Sequence, residues 1–155
     1  MTESKRIACV IPPFYRLVES KNNRISPAMH YIAQILYQRG HNVLLINGDY
    51  ADDEIEYGDR VSILLNNWLF AERYKYGHES YDEVLSELQK FSPDIVFIGA
   101  GDILIPTVEI GSSQSCIFLA KQIKKFNKNI KCIGYGFLLK YISSADQQYF
   151  DAIII

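Results

Sequence analysis

The sequence predicts a doubly wound α/β domain: a parallel five-stranded sheet in flavodoxin-like (Rossmann-like) order, with helices on both faces. Short, continuously apolar segments such as IACVI and DIVFIG are typical of strands that are buried on both sides. Segments with apolar residues at helical spacing separate these strands. Strands and helices that alternate in this way form parallel sheets through right-handed crossovers.

The first half of the chain contains two strands and one helix of this pattern. Residues 6–11 form the first predicted strand and 41–46, HNVLLI, the second. Between them, Ser26 followed by Pro27 is a typical helix start, because serine caps the helix and proline fits its first position. Gly40 ends the predicted helix.

The second half repeats the alternation. Pro93 ends a helix whose apolar side contains Val84, Leu85 and Leu88. The predicted elements are helix 81–91, strand 94–99, helix 115–126, strand 130–134, a short helix 141–149 and strand 152–155.

Size and composition favour one globular domain over residues 1–155. The chain is 48% hydrophobic and 13% aromatic, which is enough to fill a core. Its net charge of -2 and the absence of a basic run argue against nucleic acid and membrane partners. The start MTESKRIACV has no long apolar core behind a basic end, and no apolar segment is long enough to span a membrane, so we expect a cytoplasmic protein. Cys9, Cys116 and Cys132 lie in separate apolar segments, as reduced buried thiols do.

Two features depart from a minimal domain of this class. Residues at about 50–80 form an insertion rich in aromatic and charged side chains, with a predicted helix at 61–74. The chain also ends in the hydrophobic strand AIII, with no helix after it. We therefore expect a piece of a longer protein, and self-association through the uncovered strand.

In such sheets, ligands bind beyond the carboxyl ends of the strands. The first loop begins with Pro12 and Pro13, which lack the N–H groups of a phosphate cradle. The third loop begins like a GxGxxG dinucleotide motif, but Leu104 replaces its last glycine. After the fourth strand, GYGF alternates glycines with aromatic residues, which suits either a flat ligand or a simple turn.

The sequence lacks the residues that characterise several functional classes of α/β protein. A response-regulator receiver needs an acidic cluster after the first strand, but IPPFYR contains no carboxylate and Asp102 stands alone after the third strand. His30, His41 and His78 do not have the spacing of metal ligands. No GxSxG motif surrounds Ser112, Ser113 or Ser115, which argues against a hydrolase.

One family resemblance covers nearly the whole chain apart from residues 50–80. The ordered segments IACVIPPFYR, ISPAMHYIAQILYQRGHNVLLING, SPDIVFIGAG, FLAKQIKKFNKNIKCIGYG and FDAIII resemble the N-terminal cobalamin-binding domain (a vitamin B12 module) of cobalamin-dependent radical SAM enzymes. The resemblance implies a broad, largely apolar platform for the corrin ring over the strand ends.

The same resemblance assigns roles to residues of three loops. The first loop would contact the lower face of the corrin, the third would line the slot for its nucleotide tail with serines as hydrogen-bond partners, and the fourth would let the tail pass close to the sheet. These residues are Pro12, Pro13, Phe14 and Tyr15; Gly101, Asp102, Ile103, Thr107, Ser112 and Ser113; and Gly134, Tyr135 and Gly136.

The chain lacks two motifs of related proteins. Without DxHxxG, the first loop offers cobalt no histidine, so the resemblance implies base-off cobalamin. Without CxxxCxxC, an iron–sulfur cluster and S-adenosylmethionine would belong to a following C-terminal radical SAM domain, and this chain alone would not be catalytic. Two alternatives stay open: the N-terminal half of a nucleotide-sugar glycosyltransferase, which AQILYQRGHNVLLI also resembles, and a structural module with a degenerate crevice.

Overall fold

The computed structural model describes residues 3–13, 15–16, 26–48, 79–100, 109–110 and 112–155. The side chains of residues 15–16, 79–80, 109–110 and 112 are not part of that description. Most of the predicted insertion, including the helix expected at 61–74, lies outside the described residues.

Seven strands and four α-helices are seen in this part of the chain. The strands are β1 (Arg6–Ile11), β2 (Tyr15–Arg16), β3 (Asn42–Asn47), β4 (Ile95–Gly99), β5 (Glu109–Ile110), β6 (Lys131–Tyr135) and β7 (Ala152–Ile154). The helices are α1 (Pro27–Gln38), α2 (Glu79–Phe91), α3 (Ser112–Phe126) and α4 (Ser144–Gln147), and a 3-10 helix spans Phe137–Tyr141.

The main sheet has the order β3-β1-β4-β6-β7, and all its neighbouring strands are parallel. Counted along the chain, its five strands follow the flavodoxin-like order 2-1-3-4-5, so the predicted fold class is confirmed. Strands β2 and β5 form a separate antiparallel pair of two residues each, which the sequence did not predict. This pair brings the loop after β1 next to the loop after β4.

The ends of α1 follow the predicted capping chemistry. The hydroxyl oxygen of Ser26 accepts a hydrogen bond from the backbone N–H of Met29 at 3.2 Å, and Pro27 occupies the first helical position. Gly40 ends the helix with a φ of 86°, a conformation that favours glycine.

The segment before β7 differs from the single helix predicted at 141–149. The 3-10 helix starts after Gly136, whose φ is 122°, and Ile142 then takes an extended conformation. Helix α4 starts anew at Ser144, capped by the side chain of Ser143. The two short helices are thus separated by one extended turn.

The sheet separates two apolar cores. On one side, helices α2 and α3 pack on the sheet through buried residues such as Tyr81, Leu88, Leu119 and Ile123. On the other side, α1 buries Met29 and Ala33 against Cys9 and Ile11 of β1. Cys9, Cys116 and Cys132 are buried thiols, as predicted.

Across the described ranges, none of the helices combines the length and apolar character required to cross a membrane.

Candidate functional site

The carboxyl end of β1 is closely packed by the chain itself. Pro12 and Pro13 are both buried, and the N–H of Gly48 donates to the carbonyl oxygen of Ile11 at 2.7 Å. A Cβ at Gly48 would lie 2.8 Å from that oxygen and 3.0 Å from Cδ of Pro13. The two prolines therefore form part of the packed interior, where the sequence predicted a platform for a corrin ring.

The start of α3 is tied to α2 and β4. The hydroxyls of Tyr81 and Ser115 lie 2.6 Å apart, and both residues are fully buried. The thiol of Cys116 donates to the carbonyl oxygen of Gly99 at 2.9 Å. Ser113 donates to Oε1 of Gln114, its neighbour in the chain, at 2.9 Å. These polar groups hold the ends of α2, α3 and β4 together.

The glycines after β6 have structural roles. A Cβ at Gly134 would lie 2.6 Å from Cδ1 of Leu139 and 3.1 Å from Cδ1 of Phe150, so the core itself fills the space that glycine leaves. Gly136 takes a positive φ and donates its N–H to the carbonyl oxygen of Ile154 at 2.9 Å. Tyr135 is half-buried beside the core on the α1 side.

The other predicted ligand residues are described only in part. Tyr15 pairs with Ile110 through the backbone of β2 and β5, and Ser112 begins α3. Five positions lie outside the described residues: Phe14, Gly101, Asp102, Ile103 and Thr107. Ligand contact by any of these residues stays a prediction.

The described residues at this edge do not fit a magnesium site. Mg²⁺ in proteins prefers carboxylate oxygens, and Pro12 and Pro13 offer no side-chain oxygen at the end of β1. Within the ranges that the structure covers, no group of three or more His, Cys, Asp or Glu residues is placed to hold a metal ion.

The most distinctive surface lies on the sheet itself, beside α1. Side chains alternate between the two faces of a sheet, so every second residue of β4, β6 and β7 points to the side on which α1 lies. The register aligns Phe97 with Ile133 and Ala152, and Gly99 with Tyr135 and Ile154. We call this surface the open face; its apolar side chains are Ile95, Phe97, Ile133, Tyr135, Ala152 and Ile154.

No helix in the described part of the chain packs over most of the open face. Helix α1 covers mainly β3 and β1, and it approaches β4 through Met29, whose Cε lies beside Gly99. Helices α2, α3 and the 3-10 helix contribute to the core on the other side. Ile95 and Ile133 are half-buried and belong to neither core cluster, and Ile154 is 47% exposed.

Among the described residues, the inner strands of the open face carry little charge. Lys131 is the charged residue on the inner strands of the open face, at its amino edge, and its ammonium group pairs with Asp151 at 2.9 Å. Sequence reasoning had found only the β7 part of this surface, from the uncovered AIII strand. Strands β4 and β6 looked like strands covered on both sides, because their apolar residues are continuous.

The comparisons with known proteins bear on the fold. One similar solved structure is the response regulator protein TrrA from Thermotoga maritima, determined in complex with Mg²⁺ and BeF. It is 14% identical, with a TM-score of 0.50, and the match covers 97% of this chain and 85% of that chain. No protein-family model and no curated protein matches the sequence. At this identity, the likeness is one of fold.

This neighbour overturns the predicted cofactor and family. The resemblance to the cobalamin-binding domain of radical SAM enzymes is wrong, and so are cobalamin, radical SAM and metal-binding as descriptions of this chain. The resemblance depended on the order and spacing of strands and helices, and a receiver domain has the same order. The glycosyltransferase and structural-module alternatives gain no support from the comparison either.

Proposed function

We propose that this chain is a receiver-like regulatory domain that acts by docking to another protein through its open face, and not by phosphoryl transfer. The observation that carries the proposal is the half-exposed apolar surface of β4, β6 and β7 beside α1. Contiguous apolar surface of this kind is typical of interaction sites.

The residues at the carboxyl ends of the strands support the proposal that the chain does not act by phosphoryl transfer. The similar solved structure is a response regulator in complex with Mg²⁺ and BeF. In this chain the end of β1 contains two buried prolines, and the polar groups of Tyr81, Ser115 and Cys116 bind neighbouring parts of the same edge. The described residues therefore support a regulatory domain that has the flavodoxin-like fold but acts through its open face and not through the carboxyl ends of its strands.

A charged substitution on the open face tests whether the surface is available. We compare Ile133→Glu with Ile98→Glu, which lies on the opposite face of the same sheet and is fully buried. In dilute protein we expect Ile133→Glu to stay folded and to lose most of the fluorescence of the apolar dye ANS, whereas Ile98→Glu unfolds. Unfolding of both variants, or unchanged dye binding by folded Ile133→Glu, would contradict the proposal.

A titration tests the absence of phosphoryl chemistry. Amide NMR spectra are recorded as Mg²⁺ with beryllofluoride is added to the full chain. We expect no saturable shift of resonances near the ends of β1 and β4. A saturable shift there would show a working receiver pocket and overturn this part of the proposal.

The proposal includes a cytoplasmic location, which the buried thiols of Cys9, Cys116 and Cys132 support, because reducing compartments keep cysteines unpaired. Fractionation of cells that express the tagged chain checks this. We expect the chain in the cytosolic fraction; recovery from a secreted or membrane fraction would contradict it.

A further inference from the structure

The amino ends of the main-sheet strands form one edge of the domain. Because all five strands are parallel, the five segments that lead into them meet at this edge. The internal segments that the structure does not describe begin beyond the opposite ends of the strands, for example after Gly48 and after Ala100. The five segments of the edge are 3–6, 38–42, 89–95, 124–131 and 147–152, and all of them are described.

Positive charge is concentrated at this edge. The five segments contain eight of the chain's 16 Lys and Arg residues but three of its 18 Asp and Glu residues. Residues 124–131, KKFNKNIK, alone supply four lysines and no acidic residue. The edge therefore has an excess of positive charge, although the net charge of the chain is -2. We call the surface formed by these five segments the basic edge.

The helix dipoles account for part of this charge. The carboxyl ends of α2 and α3 lie at the basic edge, and Lys90, Lys124 and Lys125 are in their last turns, where the dipole favours cations. Lys128 and Lys131 lie beyond the end of α3, in the turn before β6 and at the first residue of β6. The dipole effect falls off within the last turn of a helix, so these two lysines need another explanation.

Acidic side chains neutralise the cluster at 124–131 only in part. One carboxylate, that of Asp151, pairs with both Lys124 at 2.6 Å and Lys131 at 2.9 Å, and the side chain of Lys131 is still 63% exposed. Lys125 and Lys128 are exposed, and neither forms an ion pair with another described residue. The cluster therefore presents positive charge to water without a matching number of anions.

The charge distribution favours an acidic polypeptide over a nucleic acid as the partner. A DNA duplex carries one negative charge per about 1.7 Å of its axis and extends beyond a surface of this size. It would then meet the rest of the chain, where acidic residues outnumber basic ones. Segment 124–131 also contains no arginine, the residue that binds phosphate groups through two parallel hydrogen bonds. A short acidic segment fits a local cluster of lysines without these conflicts.

We infer that the basic edge binds an acidic segment of a partner protein, and that Lys125, Lys128 and Lys131 provide its main contacts. This surface adjoins the open face at Lys131 but is separate from it. The inference goes beyond the docking function proposed for the open face and does not depend on it.

Fluorescence anisotropy of a labelled oligoglutamate peptide tests the inference. The full chain is titrated into the peptide at low salt and at about 0.15 M salt, which screens exposed charges beyond about 8 Å. We expect saturable binding that weakens as the salt concentration rises. Lys128→Glu weakens binding by about fivefold at low salt, because it replaces an attraction by a repulsion.

Lys140→Glu is the matched control. Lys140 is also an exposed lysine, but it lies on the 3-10 helix that follows the opposite end of β6, and its replacement changes the net charge by the same amount. We expect the affinity of Lys140→Glu to stay within about twofold of that of the natural chain. Equal weakening by the two variants would show that only net charge matters and would overturn the inference.

Two further results would overturn it. The first is the absence of peptide binding at low salt, which is also the result expected if an acidic stretch of the same chain, such as DDEIE at 52–56, occupied the basic edge. The second is tighter binding of a DNA duplex, or of vesicles that contain anionic lipid, than of the peptide. That result would assign the basic edge to a nucleic acid or to a membrane.

Discussion

The hydroxyl groups of Tyr81 and Ser115 lie 2.6 Å apart and connect α2 to α3 inside the main core. Both side chains are fully buried, and burial raises the pKa of Tyr81 well above its ordinary value. The pair therefore joins two helices through a hydrogen bond that is shielded from water.

Removing one partner of this pair should cost stability. We expect Tyr81→Phe to lower the free energy of unfolding by about 1–3 kcal/mol, because the buried hydroxyl of Ser115 loses a partner. The double variant Tyr81→Phe with Ser115→Ala should cost less than the sum of the two single changes. Urea unfolding measures all four proteins, and strictly additive effects would show that the hydroxyls are not coupled.

A second prediction concerns Asp151, the residue directly before β7. Its carboxylate accepts hydrogen bonds from Nζ of Lys124 at 2.6 Å, from Nζ of Lys131 at 2.9 Å and from the N–H of Cys132 at 2.9 Å. Partial burial raises the pKa of Asp151, but these hydrogen bonds outweigh it and lower the pKa to about 2.

The lowered pKa means that this carboxylate stabilises the fold above its ordinary pKa near 4, and that the contribution is lost as the pH falls towards 2. We expect Asp151→Asn to cost about 1–2 kcal/mol at pH 7, allowing for its partly exposed setting, and progressively less below pH 4. Urea unfolding at several pH values checks this, with Asp82→Asn as the exposed control. If Asp151→Asn lowered the free energy of unfolding by the same amount at every pH, the stabilising role of the ionised Asp151 carboxylate would be wrong.

The cysteines should react slowly with thiol reagents in the folded chain. Burial raises the pKa of Cys9 and of Cys132 to about 11, so at pH 8 only about one thiol in a thousand of each is ionised. Cys116 is buried as well. We expect the rate at which DTNB labels the native chain to be limited by unfolding. An added surface cysteine, Gln147→Cys, should react at once. Rapid labelling of the natural cysteines would show that these sites are accessible.

Among the glycines that the structure describes, Gly48 is one where an added methyl group should be harmful. A Cβ there would lie 2.8 Å from the carbonyl oxygen of Ile11 and 2.9 Å from Cγ2 of Val84. We expect Gly48→Ala to lower stability by about 1–3 kcal/mol in thermal or urea unfolding. Gly40→Asn is the control for backbone strain without a clash: a Cβ there meets nothing within 4 Å, and we expect only the cost of the positive φ, which asparagine tolerates better than most residues. Equal stability of Gly48→Ala and the natural chain would show that the end of β1 is loosely packed.

The sequence was sufficient to predict the strands of the main sheet, because β1, β3, β4 and β6 are short apolar segments bounded mostly by polar residues, glycine or proline. It also predicted the start of α1, since Ser26 and Pro27 are a local signal that needs no tertiary context. The start of α3 was placed three residues late, because Ser112 and Ser113 are polar and have no apolar periodicity.

The ligand and the open face could not be obtained in the same way. The order of elements that suggested cobalamin belongs to the fold and does not specify what binds. Gly134 suggested space for a ligand, but Leu139 and Phe150 occupy that space, and only three-dimensional packing shows this. The open face depends on which strands α1 covers, and this too is seen only in three dimensions.

Isoleucine methyl NMR spectra recorded on dilute protein as the apolar dye ANS is added test the central claim most directly. Ile95, Ile133 and Ile154 lie on the open face, whereas Ile98, Ile123 and Ile130 are buried in the core on the other side of the sheet and serve as internal controls. We predict saturable shifts of the three open-face methyls and constant positions for the three controls. Open-face methyl resonances that stay constant throughout the titration, or shifts confined to the controls, would contradict the claim that the open face is available for docking.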